Sequence, residues 1–221
     1  MATKKEITLY SFSELSKAEQ VDIIIDCRED DSLLDYETIE QDMIREFENE
    51  AAIMGIQDFK FKYSGFGTRC SGASFTGTLT QALAVKILEN ASGAKDWAEV
   101  YGNKIEVNVH RTSLMYAHHN SVECDFYYDD DDLEEISAED YKRITSYFNS
   151  WKDNLCHEFY NRLVESYEAL TSEENIIQLL NDLGDVYTRN GTILRVSDCD
   201  EDEEEEEDYP IPHGDERYYY K

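Results

Sequence analysis

Apolar residues recur in this chain at two spacings, and the changes of spacing mark its elements. Residues 6–10 (Glu-Ile-Thr-Leu-Tyr) are a short run of β-formers. Ser13 or Ser16 follows as the N-cap of a helix running to about residue 27. Asp30, Asp31 and Ser32 offer the next cap. Beyond it Leu33, Tyr36, Ile39, Met43, Ile44, Phe47 and Ile53 recur at helical spacing up to Gly55, a C-terminal stop. The opposite face of that helix holds Asp35, Glu37, Glu40, Asp42, Glu46, Glu48 and Glu50.

The period then switches to two. Residues 57–64 alternate Phe59, Phe61 and Tyr63 with Lys60 and Lys62, the pattern of a half-buried strand. A Gly-rich loop, 65–72, leads to a second strand at 73–79, and a helix is predicted over 81–90. Residues 104–111 alternate Ile105, Val107 and Val109 with Glu106 and Asn108, and 122–128 make a fourth strand. The links 63–73 and 110–122 are short enough for antiparallel hairpins.

A long helix is predicted over 138–170. Its apolar stripe includes Ile144, Phe148, Trp151, Leu155, Phe159, Leu163 and Tyr167. Thr171 to Glu174 cap a further helix, 175–183, which Gly184 ends. Asn190-Gly191 between two short β-runs is a strong hairpin signal. The fold class expected is α+β, a small antiparallel sheet packed by amphipathic helices. One domain is expected over 1–197, followed by an acidic, Tyr-rich flexible tail at 198–221.

Composition adds a constraint. The 221 residues carry 50 Asp+Glu against 20 Lys+Arg, a formal net charge of −30. General binding to a nucleic-acid backbone needs Lys and Arg to replace counterions, so no direct nucleic-acid binding is expected. Anionic membranes should repel the chain, and no apolar run approaches the ~18–20 residues of a span. Aromatics make up 12% of the chain, whereas disordered acidic chains are poor in them. Cys27, Cys70, Cys124, Cys156 and Cys199 form no CxxC pair, which reads as reduced thiols in a cytoplasmic protein.

The charge is spread. The run 198–208 holds ten acids and no base, leaving −20 on the rest. Residues 129–140 hold eight more acids, among them Asp129, Asp130, Asp131, Asp132, Glu134 and Glu135. Duplex DNA bears one charge per ~1.7 Å of axis, so thirty charges match about 51 Å of duplex. A compact chain of this length has a diameter of about 44 Å. The charge per unit length is thus comparable to that of DNA.

Chemical motifs are sparse. The segment Ser64-Gly65-Phe66-Gly67-Thr68-Arg69-Cys70-Ser71-Gly72-Ala73-Ser74-Phe75-Thr76-Gly77 is rich in glycine but joins strand to strand, unlike a phosphate loop. His110, His118, His119, Cys124 and His157 do not reproduce zinc-site spacing. The Asp129–Asp132 run lacks the calcium-loop pattern. No metal, cofactor or catalytic residue is expected. Cys70 sits beside Arg69, a cation that could lower the pKa of its thiol.

Several segments resemble a group of poorly characterised phage and prophage proteins, some labelled antitoxin-like. Leu9-Tyr10-Ser11-Phe12-Ser13-Glu14-Leu15-Ser16 is similar to that group's Tyr-x-Phe-x-Glu-Leu-Ser opening. Phe61 to Phe66 with Gly72-Ala73-Ser74-Phe75-Thr76-Gly77 resembles its Ser-Gly-Phe…Gly-Ala-Ser-Phe-x-Gly segment. Tyr167-Glu168-Ala169-Leu170-Thr171-Ser172-Glu173-Glu174 resembles its C-terminal turn. Relatives in that group carry Gln-Gly-Asp-Gly where this chain has Arg69-Cys70-Ser71-Gly72. The resemblance implies a phage or mobile-element origin.

Charge and resemblance together lead to one expectation: a counter-defence protein that mimics DNA. It would occupy the basic nucleic-acid site of a host restriction or defence enzyme, and could do so as a homodimer. The carboxylates expected to stand for phosphates are Asp35, Glu37, Asp42, Glu46, Glu50, Asp129, Asp130, Asp131, Asp132, Glu134, Glu135, Asp200, Glu203 and Glu204. Two alternatives stand beside it. One is an antitoxin-like binder of a basic protein by shape; the other is an enzyme using the loop from Gly65 to Gly77 and Cys70.

Overall fold

The computed structural model describes residues 8–29, 34–67, 70–91, 95–101, 105–113, 115–128, 136–188 and 193–194. The chain divides into two compact units: Met1–Glu29 with Ile176–Lys221, and Asp30–Asn175.

The larger unit is built on a four-stranded antiparallel sheet: β2 (Ile56–Ser64), β3 (Gly72–Leu79), β4 (Ile105–Arg111) and β5 (Val122–Tyr128), in that spatial order. (β1, Tyr10–Ser11, belongs to the smaller unit.) Alternation decides which face is buried. Ile105, Val107 and Val109 are buried on β4, and Val122, Cys124 and Phe126 on β5. Glu106, Glu123 and Tyr127 point away and are exposed.

Helices α2 (Tyr36–Met54), α3 (Gln81–Asn90) and α5 (Ala138–Leu170) cover the apolar face. Phe47 and Ala51 of α2 are buried, as are Ile144, Phe148, Leu155, Phe159 and Leu163 of α5. They join Phe61, Phe75, Val107 and Phe126 of the sheet in one core. The Phe47 and Phe159 rings stack with centroids 4.4 Å apart. At 33 residues, α5 is about 50 Å long.

Local chemistry sets the helix ends. Gly55 adopts φ 100° after α2, and its N–H closes on Ala51 and Ala52 carbonyls. Thr80 caps α3 by accepting from the Leu83 N–H, and Ser137 caps α5 by accepting from the Asp140 N–H.

In the smaller unit Ser16 and Glu19 form a reciprocal capping box that starts α1 (Lys17–Glu29). A three-stranded antiparallel sheet orders β1 (Tyr10–Ser11), β6 (Val186–Tyr187) and β7 (Ile193–Leu194). Phe12 packs edge-on against Tyr187, with centroids 6.2 Å apart, and both are buried. Helix α6 (Glu173–Leu183) contributes buried Ile176 and Leu180.

The α+β class stands as expected, with these differences in detail. Helix α2 begins at Tyr36 with Asp35 as its N-cap position, not at the 30–32 cap. Ile53 is 87% exposed although its spacing suggested the apolar stripe; Ala51 and Met54 face the core instead. A short helix, α4 (Lys95–Tyr101), precedes β4. The tail 198–221 lies outside the described residues. Among the described residues no helix is long and apolar enough to cross a membrane.

Candidate partner-binding site

The acidic surface of the larger unit is built where α2 and α5 lie antiparallel: Phe47 faces Phe159 while Tyr36 faces Tyr167. Residues 35–50 hold seven acids and one base, and residues 158–168 hold three acids and one base. The pair of segments therefore carries −8 over about 22 Å of helix axis. That is one charge per about 3 Å, against one per ~1.7 Å for duplex DNA.

Not all of this charge is free. Arg162 donates from Nη1 to Glu50 Oε2 at 2.7 Å and pairs through Nη2 with Glu46 Oε1 at 2.9 Å. Its guanidinium also lies over the Phe47 ring, 4.8 Å from the centroid. The hydrogen bond from Arg162 holds the Glu50 carboxyl below the usual carboxylate range. Asp42 pairs with Arg45 on its own helix at 2.8 Å. Glu46, Glu50 and Asp42, read from sequence as outward phosphate stand-ins, thus neutralise cations, and the first two tie α2 to α5.

Asp35 and Glu37 are exposed and, among the described residues, unpaired with a cation; so are Glu48, Glu165 and Glu168, while exposed Glu158 feels the charge of Arg162. The sequence puts Glu48 on the acidic helix face at 29–50 and Glu165 and Glu168 on a second one around 165–185, while Glu158 falls outside both. Asp129, Asp130, Asp131, Asp132, Glu134, Glu135, Asp200, Glu203 and Glu204 lie outside the described residues.

The Gly-rich segment has a packing role. Phe66 stacks on Tyr167 at 4.7 Å, on Tyr63 at 5.5 Å and on Tyr160 at 6.2 Å, and meets Tyr36 edge-on at 6.1 Å. Gly65 and Gly67 flank it at φ 49° and 71°, a left-handed backbone that turns the ring into this nest. Tyr160 donates to the Gly65 carbonyl at 3.2 Å. The Tyr36 and Tyr63 hydroxyls lie 3.2 Å apart, and burial raises both above the usual phenol range. Cys70 is exposed, and Arg69 lies outside the described residues.

The histidines gather in a way their spacing hid. His118 and His119 enter a 3₁₀ turn, not a strand, with ring centroids 3.9 Å apart, and the ring of His157 of α5 lies tilted against His119 at 4.2 Å. Burial, then His118 and His157, lowers the His119 pKa. Lys152 beneath this turn is 3% exposed. It donates to the carbonyls of His119 at 2.9 Å and Val122 at 2.7 Å, and its ammonium lies 2.7 Å from Asp153 Oδ1. Cys124 and Cys156 are buried nearby, and burial pushes each thiol up to about 12. Among the described residues no three His, Cys, Asp or Glu side chains are placed to hold a metal ion.

A family model described as "Domain of unknown function (DUF8835)" matches residues 40–173. The chain belongs to the DUF8835 family. The DUF8835 match takes in most of α2, the whole four-stranded sheet and all of α5, so the histidine turn, the aromatic nest apart from Tyr36 and the helix pair from residue 40 onward lie within it. No curated protein and no solved structure matches the chain.

Proposed function

We propose that this protein is a phage-encoded counter-defence protein, an acidic DNA mimic. It would occupy the basic nucleic-acid site of a bacterial restriction or defence enzyme. The observation that supports this most is the α2–α5 row, −8 over about 22 Å on two helices locked together by Arg162. A rigid row of carboxylates can replace a run of phosphates in a basic groove without ordering itself on binding. The sequence clusters at 129–135 and 198–208 add further negative charge to the chain. No bond is made or broken in this reading, and no cofactor is needed.

The test is capture of the partner on the immobilised full chain, followed by elution in a salt gradient. A mimic should release a nucleic-acid-binding protein at moderate salt, and duplex DNA should displace it. Neutralising Asp35, Glu37, Glu48, Glu158, Glu165 and Glu168 together to Asn or Gln should abolish capture. Attachment that resists high salt and ignores duplex DNA would overturn the mimic and favour a shape-specific binder. Loss of activity in Cys70→Ala alone would favour the enzyme reading.

A further inference from the structure

Three cations of this acidic chain meet around one small cleft at the four-stranded sheet. Lys60 and Lys62 of β2 are exposed and sit two residues apart, about 7 Å along the strand. Their cross-strand partners on β3 are Thr76 and Ser74. The central strands β3 and β4 pair only from Gly77–Val109 to Leu79–Val107. Short of that ladder β3 continues with β2 alone, and β4 continues to Arg111 with β5 alone.

Lys60, Lys62, Ser74, Phe75, Thr76 and Arg111 line a cleft of about 160 Å³ beside this split. Arg111 donates from Nη2 to the Tyr116 carbonyl at 3.1 Å, which holds the guanidinium in place. Its Nε is buried and has no hydrogen-bond partner. Among the described residues no carboxylate pairs with Lys60, Lys62 or Arg111, although acids outnumber bases 50 to 20 in the chain. An unpaired buried guanidinium N–H is costly unless something accepts from it. Two ammonium groups, a forked guanidinium and two hydroxyls around a small cleft match a tetrahedral oxyanion.

We propose that this cleft binds a phosphate group, either inorganic phosphate or the phosphate of a small phosphomonoester. The cleft is well above the ~10–15 Å³ that a single water needs, which leaves room for one such group with its hydration. Size also decides against a polyanion. A small dianion in the cleft sees the three cations within a Debye length of ~10 Å. A nucleic-acid strand would run past that distance onto a surface dominated by carboxylates. This site is independent of the acidic α2–α5 row, and either can fail without the other.

The experiment is calorimetric titration of the full chain at about 50 mM salt, where the Debye length is still longer than the cleft. The probes are inorganic phosphate, a nucleoside 5′-monophosphate and a single-stranded oligonucleotide. One-to-one binding of phosphate or the monophosphate is expected. Arg111→Gln, and separately Lys60→Gln with Lys62→Gln, should each weaken it about tenfold or more. Lys142→Gln, on the exposed side of α5, should leave it unchanged. The lysines are exposed, so their variant tests the site even if Arg111→Gln fails to fold. Tighter binding of the monophosphate would identify a phosphoester ligand, and equal or tighter binding of inorganic phosphate would identify the free ion; both support the site. No binding of either, unchanged binding in the lysine variant, or tighter binding of the oligonucleotide would overturn it.

Discussion

Arg162 of α5 reaches Glu50 of α2 through a 2.7 Å hydrogen bond, 112 residues apart in sequence. The same guanidinium pairs with Glu46 and covers the Phe47 ring. One cation therefore fastens two helices that would otherwise bring like charges side by side. Arg162→Ala should lower stability by about 1–2 kcal/mol, the sum expected for a half-exposed pair and a cation–π contact. Urea denaturation checks this.

Glu50 links that contact to pH. Its folded-state pKa is depressed by Arg162, so the contribution is fully present above the unfolded value of about 4.3. It is lost as pH falls through the lower folded value. The unfolding midpoint of the native chain should drop more steeply below about pH 4.3 than that of Glu50→Gln. Thermal melts between neutral pH and acid measure the difference.

His119 has the opposite chemistry and the same sign. Burial and two neighbouring imidazoles hold its pKa below 6.5, so the folded state favours the neutral ring. Stability is present above the unfolded pKa and falls as pH drops below 6.5 toward the folded value. His119→Asn should flatten this part of the stability profile. The ring resonances of His119, followed by NMR, should titrate below those of a free histidine.

Lys152 holds the His119–Val122 turn against α5. Lys152→Met keeps the length of the side chain but leaves two carbonyls and Asp153 without their cation. A loss of about 2–4 kcal/mol is expected, since buried acceptors and a charge lose their partner. Lowered protection of the amides of residues 119–124 in hydrogen exchange would locate the damage.

Phe66→Ala should cost about 2–3 kcal/mol, below the ~3–5 kcal/mol of a fully buried ring because Phe66 is only partly covered. Gly67→Ala should cost about 1 kcal/mol through its positive φ alone. If the loop serves packing, both variants should keep Cys70 equally reactive toward a thiol reagent while the melting temperature falls.

Much of this architecture was readable along the chain because it is local. The alternation at 105–109 and 122–126 assigns two strands and their buried face without reference to anything distant. The stripe from Ile144 to Leu163 does the same for α5, and Thr80, Ser137 and Gly55 mark helix ends by chemistry within one turn. The acidity of α2 was equally legible, since each carboxylate falls where the apolar spacing leaves a gap.

The sites were different. That Glu46 and Glu50 answer Arg162, that Phe66 fills a nest of tyrosines, and that His157 completes a histidine cluster depend on pairs many residues apart. The same holds for Lys60, Lys62 and Arg111, which look like isolated bases in an acidic chain until the sheet brings them together. By itself the sequence determined the elements, their buried faces and the total charge, because period and composition are properties of neighbours. Only the tertiary structure decided which charges cancel and which remain, because ion pairing falls off within a few ångströms and those distances are set by packing.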